Sequence, residues 1–146
     1  NGMTMDSVRS MREMLSVADL CYPNYTEACL LTGRPYQPEG VDQATAKILL
    51  DHLRKLGARS VLITSISIDG QTCVCGFTLP YTEIPVHFPG TGDIFSAVLI
   101  RYLLDSYSLE ESTQKAMNAV WKLIDLNKDN VDRNHGIPIE RYLNIL

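Results

Sequence analysis

The sequence has no CxxC pair and no histidines paired at zinc spacing. Its cysteines, Cys21, Cys29, Cys73 and Cys75, therefore suggest no metal site. They suggest no disulfide either. Cys73 and Cys75 would share one face of a strand, where neighbours two apart are badly placed for a bridge. We read all four as reduced, mostly buried thiols, as in a cytoplasmic protein. Charge of one sign is also missing. There are 13 Lys and Arg against 17 Asp and Glu, a net charge of −4 with the two signs interspersed. Without a basic stripe, no nucleic-acid partner is expected. No apolar run approaches membrane-spanning length and no signal peptide is visible, so no membrane partner is expected. Internal repeats and low-complexity segments are absent. Tryptophan occurs once, at Trp121, where core packing is the expectation.

What is present suits one ordinary domain: 146 residues, 45 % of them hydrophobic, enough for a sizeable core. Thr4 is placed to cap a first helix whose apolar face is Met5, Val8, Met11, Met14 and Leu15, read as core packing. Val17–Tyr22 reads as a short strand. Pro23 ends it, and Asn24 is placed to cap a helix running to Gly33. Asn24 and Glu27 both fall on the first turn of that helix. Two readings stay open for them. They suit a hydrated divalent cation, with magnesium held through water. They also suit a capping box, with Glu27 reaching back to the cap, and taken by themselves the two residues favour it.

A proline- and glycine-rich loop over 34–40 leads to an amphipathic helix from Val41 to Leu56. Ala44, Ile48, Leu49, Leu53 and Leu56 are its expected inner face, and Gly57 ends it. Ser60–Thr64 is a nearly all-apolar strand, as expected for one covered on both faces. The alternation of strands and helices predicts an α/β layered fold with a mainly parallel sheet flanked by helices. Ser65–Gly70 reads as a turn region, and Gln71–Phe77 and Tyr81–His87 as an antiparallel pair at a sheet edge. Later helices are expected from Asp93 to Leu104 and from Ser108 or Leu109 to Ile124. Lys128–Asn134 reads as a loop. A short closing helix from Pro138 would turn Ile139, Tyr142, Leu143 and Leu146 inward. His52 is expected on the solvated side of its helix. His87 is expected to be packed or at a strand edge, with an approach to phosphates as the alternative. His135 is assigned no role.

The stretch Phe88-Pro89-Gly90-Thr91-Gly92-Asp93-Ile94-Phe95-Ser96-Ala97 carries the chemistry. Gly90 and Gly92 allow a sharp turn and a close backbone approach to a ligand. The turn opens directly into a helix, whose free N–H groups and positive dipole end make an anion site. Asp93 puts a carboxylate beside it, which suits a hydroxyl that must be oriented and deprotonated as it attacks a phosphoryl group. By spacing alone, a tight turn with Asp93 as a capping residue remains the alternative.

Taken together, the segments Tyr22-Pro23-Asn24-Tyr25-Thr26-Glu27-Ala28, Leu31-Thr32-Gly33, Leu62-Ile63-Thr64-Ser65 and Phe88–Leu99 resemble pyridoxal kinases, of the ribokinase-like superfamily. Hydroxymethylpyrimidine kinases carry a similar helix start but usually a cysteine where this chain has Asp93. Sugar kinases of the superfamily more often read GAGD. The resemblance implies a ribokinase-like fold, of which residues 1–146 would be the C-terminal, ATP-binding and catalytic-base portion. The implied reaction is ATP-dependent phosphorylation of the 5′-hydroxymethyl group of pyridoxal, pyridoxine or pyridoxamine. Asp93 would be the catalytic base, and Gly90, Thr91 and Gly92 the anion hole. Thr64 and Ser65 would meet the ATP phosphates, and Asn24 and Glu27 would organise the metal. ATP and Mg2+ are the implied cofactors, and the Tyr22 carbonyl is a candidate for a monovalent cation. The resemblance further implies a longer parent that is a homodimer, whose first half supplies the vitamin pocket and a lid. This chain alone would then be inactive. The alternatives are a hydroxymethylpyrimidine kinase and a truncated, non-catalytic nucleotide-binding domain.

Overall fold

Glycines and short polar side chains punctuate the chain where its elements begin and end. In the computed structural model, which describes residues 4–145, α1 spans Met5–Leu15 behind its cap Thr4. β1 (Leu20–Cys21) follows, then α2 (Tyr25–Thr32), α3 (Gln43–Lys55), β2 (Ser60–Val61), β3 (Ile63–Ile68), β4 (Gln71–Cys75) and β5 (Leu79–Pro80). The chain continues with α4 (Thr91–Leu104), α5 (Leu109–Asn127) and a single 3-10 turn, Ile139–Arg141. It divides into two compact units, Asn1–Thr82 and Glu83–Leu146.

The first unit is the α/β layer that the strand–helix alternation predicts. β1 and β2 pair in parallel, Leu20 with Ser60 and Cys21 with Val61. Isolated parallel bridges, Asn24 to Thr64 and Val41 to Ile68, extend that relation along β3. β3, β4 and β5 form an antiparallel meander. α2 and α3 cover this layer, and Leu49, Leu53, Ile63 and Ile66 are essentially inaccessible in its core. An eight-residue helix as short as α2 is marginal on its own. It is held by capping at both ends, with Asn24 at the start and Gly33 in the left-handed conformation (φ 71°) at the end.

In the second unit α4 packs along α5. Val98 and Leu99 of α4, and Ala116, Ala119 and Leu123 of α5, are buried. A small cluster of Phe88, Leu123 and Ile137 closes one end.

Several expectations need correction. Ser65–Ile68 is strand, and only Asp69–Gly70 turns, because Ile66 and Ile68 point into the core. Tyr81–His87 forms no strand; Pro85 cannot donate to a ladder, and β4 pairs instead with Leu79–Pro80. The first strand shrinks to two residues, with Val17 exposed. On α1 only Val8 and Leu15 are buried, while Met5 (80 %) and Met14 (67 %) face solvent, so the methionine stripe is not core. The inner face of α3 is rotated to Ala46, Leu49, Leu50 and Leu53, leaving Ala44 and Ile48 outside. Trp121 is 42 % exposed, Ile139 and Leu143 are exposed, and Leu146 lies outside the described residues. His52 is half-buried, its Nδ1 accepting from Arg34 Nε at 3.3 Å, and His87 is exposed in a loop.

Candidate functional site

Each unit carries one part of the expected constellation. In the first unit, the β1–α2 turn and the start of β3 lie side by side. The Thr64 N–H donates to the Pro23 carbonyl (2.9 Å), and Thr64 bridges Asn24 in parallel. The β3–β4 register slips between Ile63 and Ile66, a bulge that covers Thr64 and Ser65. Ser65 sits there at φ 54°, unusual for a residue with a Cβ, and is exposed. Such bulges re-aim side chains away from the ladder, and held backbone strain of this kind clusters at functional sites.

Asn24 and Glu27 form a capping box. The Glu27 N–H donates to Asn24 Oδ1 (2.9 Å), and the Asn24 N–H donates to Glu27 Oε2 (3.0 Å). This is the reading that local sequence favours. It leaves Glu27 Oε1 without a partner among the described residues, so one carboxylate oxygen stays available to a metal-bound water. The charge is felt nearby. Burial first, and the Glu27 carboxylate second, push the Cys21 thiol up to about 11. Among the described residues no group of three or more His, Cys, Asp or Glu is placed to enclose a metal ion.

In the second unit, Gly90 enters α4 in the left-handed conformation, φ 85°. The other four α-helices among the described residues begin behind a side-chain cap: Thr4, Asn24, Asp42 and Ser108. α4 has none. A Cβ built at Gly90 or at Gly92 would meet nothing within 4 Å among the described residues. The Ile94 N–H reaches back to the Gly90 carbonyl (3.1 Å), and the N–H groups before it lie in the unbonded first turn where helix starts commonly take anions. The Thr91 hydroxyl donates to the Phe88 carbonyl (3.3 Å) and ties the turn to its own entry. Asp93 is exposed in the first turn of the helix. Behind the turn, Phe88 is 1 % exposed, packed with Leu123 and Ile137. Gly136 comes so close that a Cβ there would lie 2.9 Å from the Pro89 carbonyl oxygen. The sequence assigns His135 no role and does not single out Gly136; the local signal is the Gly136-Ile137-Pro138 break after a polar loop.

The thiols are free, with Cys29, Cys73 and Cys75 buried and Cys21 half-buried. No helix among the described residues is long and apolar enough to cross a membrane.

A family model described as phosphomethylpyrimidine kinase matches residues 2–138. Pyridoxal kinase PdxY of Deinococcus radiodurans is 29 % identical over 126 residues, 78 % of this chain and 42 % of that protein. The crystal structure of pyridoxal kinase from Lactobacillus plantarum superposes with a TM-score of 0.82 at 27 % identity, covering 99 % of this chain and 54 % of that one. Pyridoxal kinase from Leishmania donovani, in complex with ADP and pyridoxamine, gives 0.74 at 26 % identity, covering 98 % and 51 %. The chain spans about half the length of these relatives. It belongs to the phosphomethylpyrimidine kinase family and shares the ribokinase-like fold of the pyridoxal kinases.

Proposed function

We propose that residues 1–146 are the C-terminal, ATP-binding and catalytic-base portion of a ribokinase-like kinase domain. Its full-length parent transfers a phosphoryl group from ATP to the 5′-hydroxymethyl group of pyridoxal, pyridoxine or pyridoxamine. The observation that carries this reading is the start of α4, without a side-chain cap behind left-handed Gly90 and with Asp93 in its first turn. The relative crystallised with ADP and pyridoxamine supports both ligand classes.

Phosphoryl transfer passes through a loose transition state, so positioning and charge stabilisation outweigh the strength of any base. The N–H groups of Thr91 and Gly92 face the developing negative charge on the phosphoryl oxygens. Asp93, ionised beside the positive end of the helix dipole, accepts a hydrogen bond from the acceptor hydroxyl, holds it in line and takes its proton late. Thr64 and Ser65, aimed outward by the bulge, contact the nucleotide phosphates. Asn24 fixes the rotamer of Glu27, whose carboxylate would hold a magnesium ion through water. That ion, when bound, neutralises charge on the phosphate oxygens. The Tyr22 carbonyl is a candidate ligand for a monovalent cation, and the parent is a homodimer.

The family model's description, phosphomethylpyrimidine kinase, favours a pyrimidine as second acceptor, in line with the hydroxymethylpyrimidine kinase alternative. An assay of the full-length parent with ATP, magnesium and each acceptor separates the two. Formation of pyridoxal phosphate in preference to the pyrimidine product is expected, and the reverse preference overturns the vitamin B6 reading. Residues 1–146 alone are expected to give no turnover. Losing the groups that hold the acceptor in line removes several kcal/mol of barrier reduction, at roughly 1.4 kcal/mol per tenfold in rate. Turnover by the isolated chain would contradict its assignment as a portion of the site.

A further inference from the structure

The tail after α5 is ordered by its own side chains. Arg133 donates from Nη2 to the Lys128 carbonyl (3.0 Å) and from Nε to the Asn130 carbonyl (3.1 Å). The Asp132 carboxylate accepts from the Asn134 N–H (3.3 Å) and lies 3.1 Å from His135 Nδ1. The Gly136 N–H then closes on the Arg133 carbonyl (3.3 Å). This compact loop delivers Gly136, at φ 74°, against the backbone of Pro89. The next residue, Ile137, is buried against Phe88.

Pro89 immediately precedes Gly90, whose left-handed conformation aims the first N–H groups of α4. The segment 88–89 has little freedom of its own. Phe88 is locked in the core, Pro89 has a fixed φ, and the Phe88 carbonyl holds the Thr91 hydroxyl. The remaining freedom is rotation of the Pro89–Gly90 peptide plane, and the Pro89 carbonyl oxygen is the atom Gly136 backs. A side chain at position 136 must push that carbonyl, and with it the plane carrying the Gly90 N–H. An anion cradle of fixed dipoles depends on such placement, because its donors must already point at the charge.

We propose that Gly136 is a positioning residue for the phosphate cradle. The 133–137 tail sets the orientation of the Pro89–Gly90 peptide and so the direction of the N–H groups at Gly90, Thr91 and Gly92. This rests on the proposed phosphate role of that turn.

Any residue other than glycine at φ 74° carries backbone strain, and the experiment must separate strain from contact. Gly70 provides the comparison: its φ is 80°, yet a Cβ there meets nothing within 4 Å. Asparagine tolerates this conformation better than alanine, so Gly136→Asn keeps the chain folded while still presenting a Cβ to Pro89. Amide resonances of the 15N-labelled chain are recorded for wild type, Gly136→Ala, Gly136→Asn and Gly70→Ala. The spectra are then titrated with inorganic phosphate and with ATP. Both Gly136 variants should move the Gly90, Thr91 and Gly92 resonances before any ligand is added, and weaken phosphate binding roughly tenfold, the worth of one charged hydrogen bond. Gly70→Ala should lower stability by a similar amount and leave those resonances and the affinity unchanged. Unmoved cradle resonances in both Gly136 variants, or equal effects from Gly70→Ala, overturn the positioning role. A wild-type chain whose cradle amides ignore phosphate and ATP instead overturns the phosphate assignment, while the ligand-free shifts still decide the mechanical link.

Discussion

Replacing Glu27 by glutamine separates capping from metal binding. The box holds the first turn of α2 with two hydrogen bonds, at 2.9 and 3.0 Å. Asn24→Ala removes the acceptor for the Glu27 N–H, and such a loss costs about 1 kcal/mol, within a range of roughly 0.5–2. The helix itself survives, because Tyr25, Ala28, Cys29 and Leu31 stay buried and Gly33 still closes its end. Glu27→Gln is milder. Its amide oxygen can still accept from the Asn24 N–H, so only the charge beside the helix dipole is lost, roughly 0.3–1 kcal/mol. If Glu27 holds a magnesium-bound water, removing that charge should raise the magnesium needed for half-maximal nucleotide binding several-fold. Asn24→Ala should show the opposite balance, with more lost in stability than in metal dependence. Cys21 reports whether the charge has gone, since the Glu27 carboxylate helps hold its thiol near 11. In Glu27→Gln that thiol should titrate lower. Chemical unfolding, a magnesium titration and a thiol titration on each variant complete the test. A Glu27→Gln protein with unchanged magnesium dependence, and a stability loss matching Asn24→Ala, would refute the metal role and leave only the cap.

Two further outcomes follow from the titrating groups. Hydrogen bonds from the side chain and backbone of Thr45 hold the Asp42 carboxyl below its ordinary value at the start of α3. Because the folded value is the lower one, this cap stabilises at neutral pH and is lost as pH falls through it. Asp42→Asn should flatten that part of the acid unfolding profile, and an unchanged profile would count against the cap. Burial pushes Cys21 and Cys75 to about 11 and raises Cys29 and Cys73 as well. Native protein at pH 8 should therefore react slowly at all four thiols and fast once unfolded; a rapidly modified native cysteine would contradict this.

Local chemistry was the legible part of the sequence. Thr4, Asn24 and Gly33 announce helix ends because capping needs only neighbours along the chain. The Gly90-Thr91-Gly92-Asp93 turn was legible for the same reason, glycine and helix start being adjacent. Features decided by distant packing were not. Met5 and Met14 fit a helical stripe, yet nothing in residues 4–145 covers them. Periodicity locates a face but not its rotation, so Ile48 was placed inside α3 and Ala46 was not. The Thr64–Ser65 bulge hides within an apolar run, because a register slip depends on the partner strand. Gly136 carries no signal of its approach to Pro89 in the sequence, since that relation crosses nearly fifty residues of chain.

The central claim is that Asp93 acts on the acceptor hydroxyl at the head of an anion-binding helix. Asp93→Asn in the full-length parent tests it most directly, with turnover and ATP affinity measured on the same preparation. The account predicts turnover reduced roughly 10²–10⁴-fold, the scale of a positioned acid–base group, with ATP affinity within a few-fold of wild type. Near-normal turnover in that variant would contradict it.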